Sequence, residues 1–244
     1  MISNMDAISL LRGLSGVDLI FTSPPYNIGS KSPRMDGQRK HGKFDAKSYQ
    51  GIVGYEDNLE EGIYQRRQVE VLRAMAGALS DDGVVVYNHK PRRRDGAMIH
   101  PITWVGKVRE LTLMEEIIWD RGSTHNHSKG LFWPTTERLY VLRRTDGRYR
   151  LDHKSNSLGN SFKKDLWRIP LSNKPHGGHA CPYSELLAEN VVRAFTKPGD
   201  LVCDPYLGSG TTGVAARRNG CRFVGAEIDS HFCNVAEQRI REAA

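Results

Sequence analysis

Short apolar runs alternate with longer amphipathic stretches along this chain, and turn-forming residues separate them. Residues 17–21 form an apolar run that stops short of Pro24 and Pro25, which no strand interior tolerates. Residues 62–79 predict a helix with Leu72, Met75 and Leu79 on one face. Ser80-Asp81-Asp82-Gly83 then predicts a turn into residues 84–87, a strand of the fully buried kind. Residues 116–119 and 139–142 are further strand candidates, and residues 183–195 carry Leu187, Val191, Ala194 and Phe195 on roughly one helical face. Strands at 201–203 and 222–226 flank a Gly/Thr-rich turn and a helix over 211–219. This alternation predicts a three-layer α/β fold with a mostly parallel sheet. No internal repeat or low-complexity tail interrupts it.

Composition narrows the class. The 244 residues suit one domain with a modest insertion, and 39% hydrophobic with 26% charged residues is the balance of an ordinary globule. No apolar run approaches the roughly 20 residues that span a bilayer. Met1 to Asp6 lacks the basic and apolar stretches of a secretory signal, so a cytoplasmic protein is expected. Cys181, Cys203, Cys221 and Cys233 form no C-x-x-C pair and predict free thiols. His125 with His127, and His176 with His179 and Cys181, match no common zinc spacing, so no metal site is expected.

Charge changes the picture more. The formal net charge is +7, and it is clustered. Lys31, Arg34, Arg39, Lys40, Lys43 and Lys47 face only Asp36 and Asp45 in a glycine-containing loop. Arg92-Arg93-Arg94 follows Pro91, and Arg143, Arg144, Arg148, Arg150 and Lys154 surround Asp146-Gly147. Basic loops between apolar segments point to a nucleic-acid backbone, with Lys31, Arg34, Arg39, Lys40, Arg148 and Arg150 as candidate contacts. Phe132, Trp133 and Trp167 read as core or loop anchors.

Two motifs carry chemistry. The first is Asp204-Pro205-Tyr206-Leu207-Gly208-Ser209-Gly210-Thr211-Thr212-Gly213, between a strand and a helix. Its glycines allow a sharp turn and close approach of a ligand. Glu227 closes the next strand 19 positions after Gly208, the spacing at which an acidic residue reaches ribose hydroxyls. The glycine pattern leaves a nicotinamide dinucleotide open. Asp204 would repel a pyrophosphate, however, and suits the cationic S-adenosylmethionine.

The second motif is Thr22-Ser23-Pro24-Pro25-Tyr26-Asn27. Two prolines fix the backbone and remove two N–H donors, leaving carbonyl acceptors. Such a turn could cradle an exocyclic amine: Ser23 and the Pro24 carbonyl accept its two hydrogens, the nitrogen pyramidalises, and its lone pair meets a sulfonium methyl. Pro25 would hold the turn. Tyr26 would stack on a base drawn out of its duplex.

These two motifs in this order resemble the DNA amino-methyltransferases that modify cytosine N4 or adenine N6, in the β-group arrangement with the catalytic motif first. The resemblance covers most of the chain. It implies a Rossmann-like S-adenosylmethionine-dependent methyltransferase fold with a small recognition insertion. It also brings in Asn4-Met5-Asp6-Ala7, similar to the segment that contacts the cofactor's adenine, and residues 84–88 behind the catalytic turn. The implied site is Ser23, Pro24, Pro25 and Tyr26 for catalysis, and Asp6, Asp204, Tyr206, Gly208, Gly210, Thr211 and Glu227 for the cofactor. Residues 178–183 depart from the family order and receive no role.

The Thr-Ser-Pro-Pro-Tyr form resembles cytosine-N4 enzymes, with adenine N6 as the alternative. Methylation at cytosine C5 would need a Pro-Cys nucleophile, and only the reverse Cys181-Pro182 occurs. An RNA amino-methyltransferase, a protein amide methyltransferase and an inactive nucleic-acid-binding module remain as other readings. A dehydrogenase leaves the Ser-Pro-Pro-Tyr turn unexplained. One domain is expected: a catalytic half over about 1–144, a recognition segment over about 145–174 and a cofactor half over about 175–244. So short a recognition segment suits a short target or a homodimer. A restriction endonuclease acting on the same site is the companion such an enzyme implies.

Overall fold

The computed structural model describes residues 1–28, 57–124, 130–149, 158–171 and 183–243. Its centre is an eight-stranded sheet in the order β1-β10-β9-β2-β3-β7-β6-β8. The strands are β1 (Ile2–Asn4), β2 (Val17–Thr22), β3 (Leu79–His89), β6 (Leu111–Asp120), β7 (Thr136–Arg144), β8 (Leu166–Arg168), β9 (Leu201–Asp204) and β10 (Arg222–Glu227). Arg92–Arg94 (β4) and Ala97–Ile99 (β5) form a separate hairpin. Neighbouring pairs are parallel except where β7 meets β3 and β6. One reversed strand in the sheet agrees with the mostly parallel prediction.

Each face of the sheet buries its own core. Ile20, Val85, Tyr87, Tyr140, Leu142 and Cys203 pack with residues of α1 (Ala7–Arg12), α2 (Glu61–Ala78) and α3 (Ile102–Val105). Leu19, Phe21, Val84, Val86, Leu139, Val141 and Val202 point the other way, onto α4 (Glu185–Phe195) and α5 (Thr211–Arg218). The period-2 alternation inside each apolar run thus sorts side chains between two helical layers. Α sixth helix, α6 (Ser230–Glu242), starts at Asp229, whose carboxylate caps the backbone N–H groups of His231 and Phe232.

Strand boundaries depart from the sequence reading in an instructive place. Residues 80–83, expected as a turn, lie within β3. The register moves from Val17↔Leu79 to Leu19↔Val84, so the polar residues form a bulge instead. A Cβ on Gly83 would lie 2.4 Å from the Val17 carbonyl oxygen, which is why a glycine stands there. β1, α1, the β4–β5 hairpin, α3, β8 and α6 were not anticipated. Among the described residues no helix is long and apolar enough to cross a membrane.

Strands β9 and β2 lie side by side, yet the chain runs outward from them in opposite directions: β9 to β10, and β2 to β3. This is a topological switch point, and the crevice beyond the carboxyl ends of such strands is where α/β sheets bind ligands.

Candidate active site

Both chemical motifs leave the sheet at that switch point. Asp204 is the last residue of β9 and Thr22 the last of β2. The Thr22 hydroxyl donates to Asp204 Oδ1 at 2.7 Å, joining positions 182 residues apart. Asp204 is fully buried. Its Oδ1 also accepts from the Tyr206 N–H at 3.1 Å, and its Oδ2 accepts from Tyr183 at 3.1 Å and Thr212 at 2.6 Å. Tyr183 and Thr212 also share a short hydroxyl–hydroxyl contact. Burial pushes the Asp204 carboxyl above the usual range, and those hydrogen bonds pull against it. Both oxygens are thus engaged in holding the glycine turn to the catalytic turn. The sequence reading faced this carboxylate toward a cationic ligand; the structure gives it internal partners instead.

The glycine turn is shaped from two sides. Gly208 and Gly210 have φ of 51° and 86°. A Cβ on Gly210 would meet Ala236 of α6 at 2.9 Å, and one on Gly213 would meet Ile240 at 2.1 Å. These two glycines therefore admit a helix, not only a ligand. The Gly208 N–H donates to Glu227 Oε2 at 2.8 Å, while Glu227 Oε1 accepts from the Asp229 N–H at 3.0 Å. Glu227 is half-buried at the carboxyl end of β10, and each oxygen retains acceptor capacity for a hydroxyl. Burial raises its carboxyl, opposed by the two backbone N–H groups. Tyr206 is half-buried and lies within the electrostatic reach of Asp6. Asp6 itself caps α1, accepting from the Ser9 N–H at 3.0 Å and its hydroxyl at 2.5 Å. Thr211 is the first residue of α5 and is buried. Glu227 with Gly208, and Tyr206 with Asp6, thus lie at the carboxyl-end side of the sheet, and the free acceptor capacity of the Glu227 carboxylate fits the hydroxyls of a nucleoside's ribose.

The catalytic turn is pinned from beneath. His89 Nδ1 lies 2.8 Å from the Lys90 N–H and 2.9 Å from the Lys90 carbonyl, and Nε2 lies 2.6 Å from the Tyr64 hydroxyl. Because Tyr64 spends its one hydrogen on Pro25, the arrangement that satisfies this chain puts the imidazole hydrogen on Nε2 and lets Nδ1 accept. Tyr64 in turn donates to the Pro25 carbonyl at 2.8 Å. Burial holds His89 far below its ordinary range, so the ring is neutral as this chain of donors requires. Pro25 is thereby committed to the scaffold, and among the described residues the Pro24 carbonyl has no such partner. Asn27 has a left-handed backbone, φ 55°, and ties the exit of the turn to Leu59 through hydrogen bonds of 2.7 and 3.1 Å.

Tyr26 does more than present a ring. Its centroid lies 4.4 Å from that of His89, and its hydroxyl sits 2.7 Å from Ser23 Oγ and 2.9 Å from Glu137 Oε2. Glu137, on β7, is buried and paired with Arg121 at 3.0 Å. Asn88 Nδ2 reaches the same carboxylate at 3.2 Å and Ser23 at 3.4 Å. The sequence reading missed Glu137, Arg121 and the roles of Tyr64 and His89. A signal existed: Glu137 shares strand parity with Leu139 and Val141, so an acid stands on a buried face.

Several basic residues fall elsewhere. Lys31, Arg34, Arg39, Lys40 and Arg150 lie outside the described residues, as do His125, His127, His176, His179 and Cys181. Arg148 lies away from this site. β7 runs against its neighbours, so the chain leaves it at the end opposite the catalytic turn, where Arg148 pairs with Asp81 and Asp82 at 3.4 and 3.8 Å. Arg92 departs from the charge reading: it is buried against Glu61 at 2.8 Å, beside the rings of Tyr64 and Trp104, while Arg93 is exposed. Arg168, which the sequence reading did not single out, ends β8 at the catalytic end of the sheet with its side chain 77% exposed. Trp167 is a core anchor as expected, but Phe132 is 96% exposed and Trp133 56%. Arg93, Gly130, Leu131 and Phe132 line an open groove.

The chain is similar to known proteins in sequence and in fold. Residues 17–238 match a family described as DNA methylase, covering N6 and N4 types. The chain is 27% identical over 235 residues to the type II methyltransferase M2.DpnII of Streptococcus pneumoniae, covering 92% of this chain and 82% of that one. It is 26% identical over 252 residues to M2.LlaDCHI of Lactococcus lactis subsp. cremoris, with 98% and 88% covered. In fold it resembles the cytosine-N4-specific PvuII DNA methyltransferase, with a TM-score of 0.71, 19% identity, and 99% and 90% of the two chains covered.

Proposed function

The chain belongs to the N6/N4 DNA methylase family, and from that premise we propose that it transfers a methyl group from S-adenosylmethionine to the exocyclic amine of a flipped base, cytosine N4 before adenine N6. The observation that carries this reading is the Thr22–Asp204 contact, which sets the amine-cradling turn beside the nucleoside-holding turn. Bound there, the cofactor supplies an electrophilic sulfonium methyl.

The protein's own part is placement. Glu227 and the turn at Gly208 take the ribose, with Tyr206 and Asp6 beside the adenine. Pro24 and Ser23 accept the two hydrogens of the amine, which frees its lone pair from conjugation with the ring. Pro25, fixed by Tyr64, keeps these acceptors in register, and Tyr26 stacks on the base. Serine at position 23, where adenine-specific enzymes mostly carry Asp or Asn, supports cytosine.

DNA is the substrate in this reading, gripped by the basic loop holding Lys31, Arg34, Arg39 and Lys40, with Arg93 and Arg168 at the catalytic end of the sheet. Target recognition is assigned to residues 145–174, whose described part returns to the sheet edge as β8. A homodimer presenting two such segments, and a restriction endonuclease sharing the site, complete the proposal. The test is to incubate duplex DNA with labelled cofactor and digest it to nucleosides. N4-methylcytosine is expected; N6-methyladenine as the sole product overturns the base assignment, and label in RNA alone overturns the substrate.

A further inference from the structure

The cluster around Ser23 holds a buried carboxylate that the placement scheme above leaves unused. Glu137 Oε2 accepts from the Tyr26 hydroxyl at 2.9 Å and from Asn88 Nδ2 at 3.2 Å, and its Oε1 accepts from Arg121 at 3.0 Å. Tyr26 Oη lies 2.7 Å from Ser23 Oγ. A carboxylate has no hydrogen to give, so the direction of the whole chain is set from its far end. Tyr26 spends its one hydrogen on Glu137. Ser23 must then donate to Tyr26, and the serine oxygen faces outward with lone pairs only. Asn88 reaches one of them at 3.4 Å, a long bond, and the other suits an amine hydrogen. Burial and the Glu137 charge both keep the Tyr26 phenol protonated, as the chain requires. The carboxylate also orients the Asn88 amide, whose Oδ1 is buried without a hydrogen-bond partner among the described residues.

We propose that Glu137 is a positioning residue that fixes Ser23 as an acceptor for the exocyclic amine and receives, through Tyr26, the proton displaced by methylation. The step balances. The nitrogen lone pair forms the new N–C bond while the donor sulfur keeps the electron pair of the broken S–C bond. The nitrogen's surplus proton passes to Ser23 Oγ as the serine hydrogen moves to Tyr26 and the tyrosine hydrogen to Glu137, which ends neutral and later returns the proton to water. A neutral serine turn thereby borrows the charge that a carboxylate at position 23 would supply directly. The inference rests on the amine-methylation reading but not on which base is used.

Polarity gives a readout separate from catalysis. A cytosine amine is a donor, whereas the 4-carbonyl of uracil is an acceptor; adenine and hypoxanthine differ in the same way. The probes are duplex oligonucleotides containing the site that the wild-type protein methylates, with the amine base or its carbonyl counterpart at that position. Binding is measured without cofactor. Wild type should favour the amine base about tenfold or more. In Glu137→Gln, whose amide can donate to Tyr26, and in Tyr26→Phe, which cuts the chain, the preference should fall severalfold, down to the share that the Pro24 carbonyl supplies on its own. Single-turnover transfer should drop about 100-fold in each, and no further in the double variant. Should Glu137→Gln fail to fold, Tyr26→Phe decides alone, since it removes one oxygen and leaves the Arg121 pair intact. An undiminished preference for the amine base in Tyr26→Phe overturns the proposal. A wild-type protein that methylates no nucleic acid overturns the underlying reading instead.

Discussion

His89 shows how a single residue constrains the site without touching a substrate. It is neutral because it is buried, and its neutrality lets Nδ1 accept from Lys90 while Nε2 donates to Tyr64. Its folded pKa lies well below the ordinary 6.5 of the unfolded chain. The stability it contributes is therefore complete above that value and is lost as pH falls through the folded value, at about 1.4 kcal/mol per pH unit. Urea unfolding of wild type and His89→Gln between neutral pH and mild acid should show this slope in the difference between the two. Asp204 and Glu227, whose carboxyls burial raises, work in the opposite direction at lower pH and cancel in that difference. A slope of zero would mean that His89 takes up a proton inside the fold. None of this was legible in the sequence, because a histidine after a valine-rich strand carries no mark of its tautomer.

Neighbouring arginines of the β4–β5 hairpin divide structure from binding. Arg92 has its side chain 3% exposed and pairs with Glu61 at the start of α2, while Arg93 on the opposite face of the same strand is exposed. Arg92→Ala leaves the half-buried Glu61 carboxylate with Arg94, 3.5 Å away, and Gln65, which donates to it at 2.9 Å. The substitution should cost about 3 kcal/mol in chemical denaturation, the low end for a broken buried pair. Arg93→Ala should change stability by less than about 0.5 kcal/mol, yet weaken DNA binding uniformly and lower the salt slope by about one. The opposite pattern would return Arg92 to the DNA-facing surface. From sequence the three arginines were one basic cluster, since only the pairing of α2 with the hairpin tells them apart. Apolar strands and the long helices were readable because they follow their own period. The short edge strands β1 and β8 were not, because three residues hold too little pattern to set a period.

At the scale of the whole molecule, the two motifs were legible but their junction was not. Ser23-Pro24-Pro25-Tyr26 and the glycine turn can be read from residue types alone, whereas the Thr22–Asp204 bond depends on β2 and β9 becoming neighbours. Thr22→Val should cost about 1 kcal/mol of stability and leave cofactor affinity unchanged, because the glycine turn keeps its other anchors. It should slow single-turnover transfer about tenfold, since the catalytic turn loses its registration with the methyl donor. Equal losses in affinity and rate would mean that Thr22 supports the fold alone. β7 adds a consequence of its own. Every parallel strand offers the crevice its final residue, but a strand laid backwards offers its opening one, and so Glu137 arrives straight from the connection between β6 and β7. That connection can change length at little expense to the sheet, while any tug on its trailing end is passed at once to the proton path, so variation there would tune chemistry before it disturbed architecture.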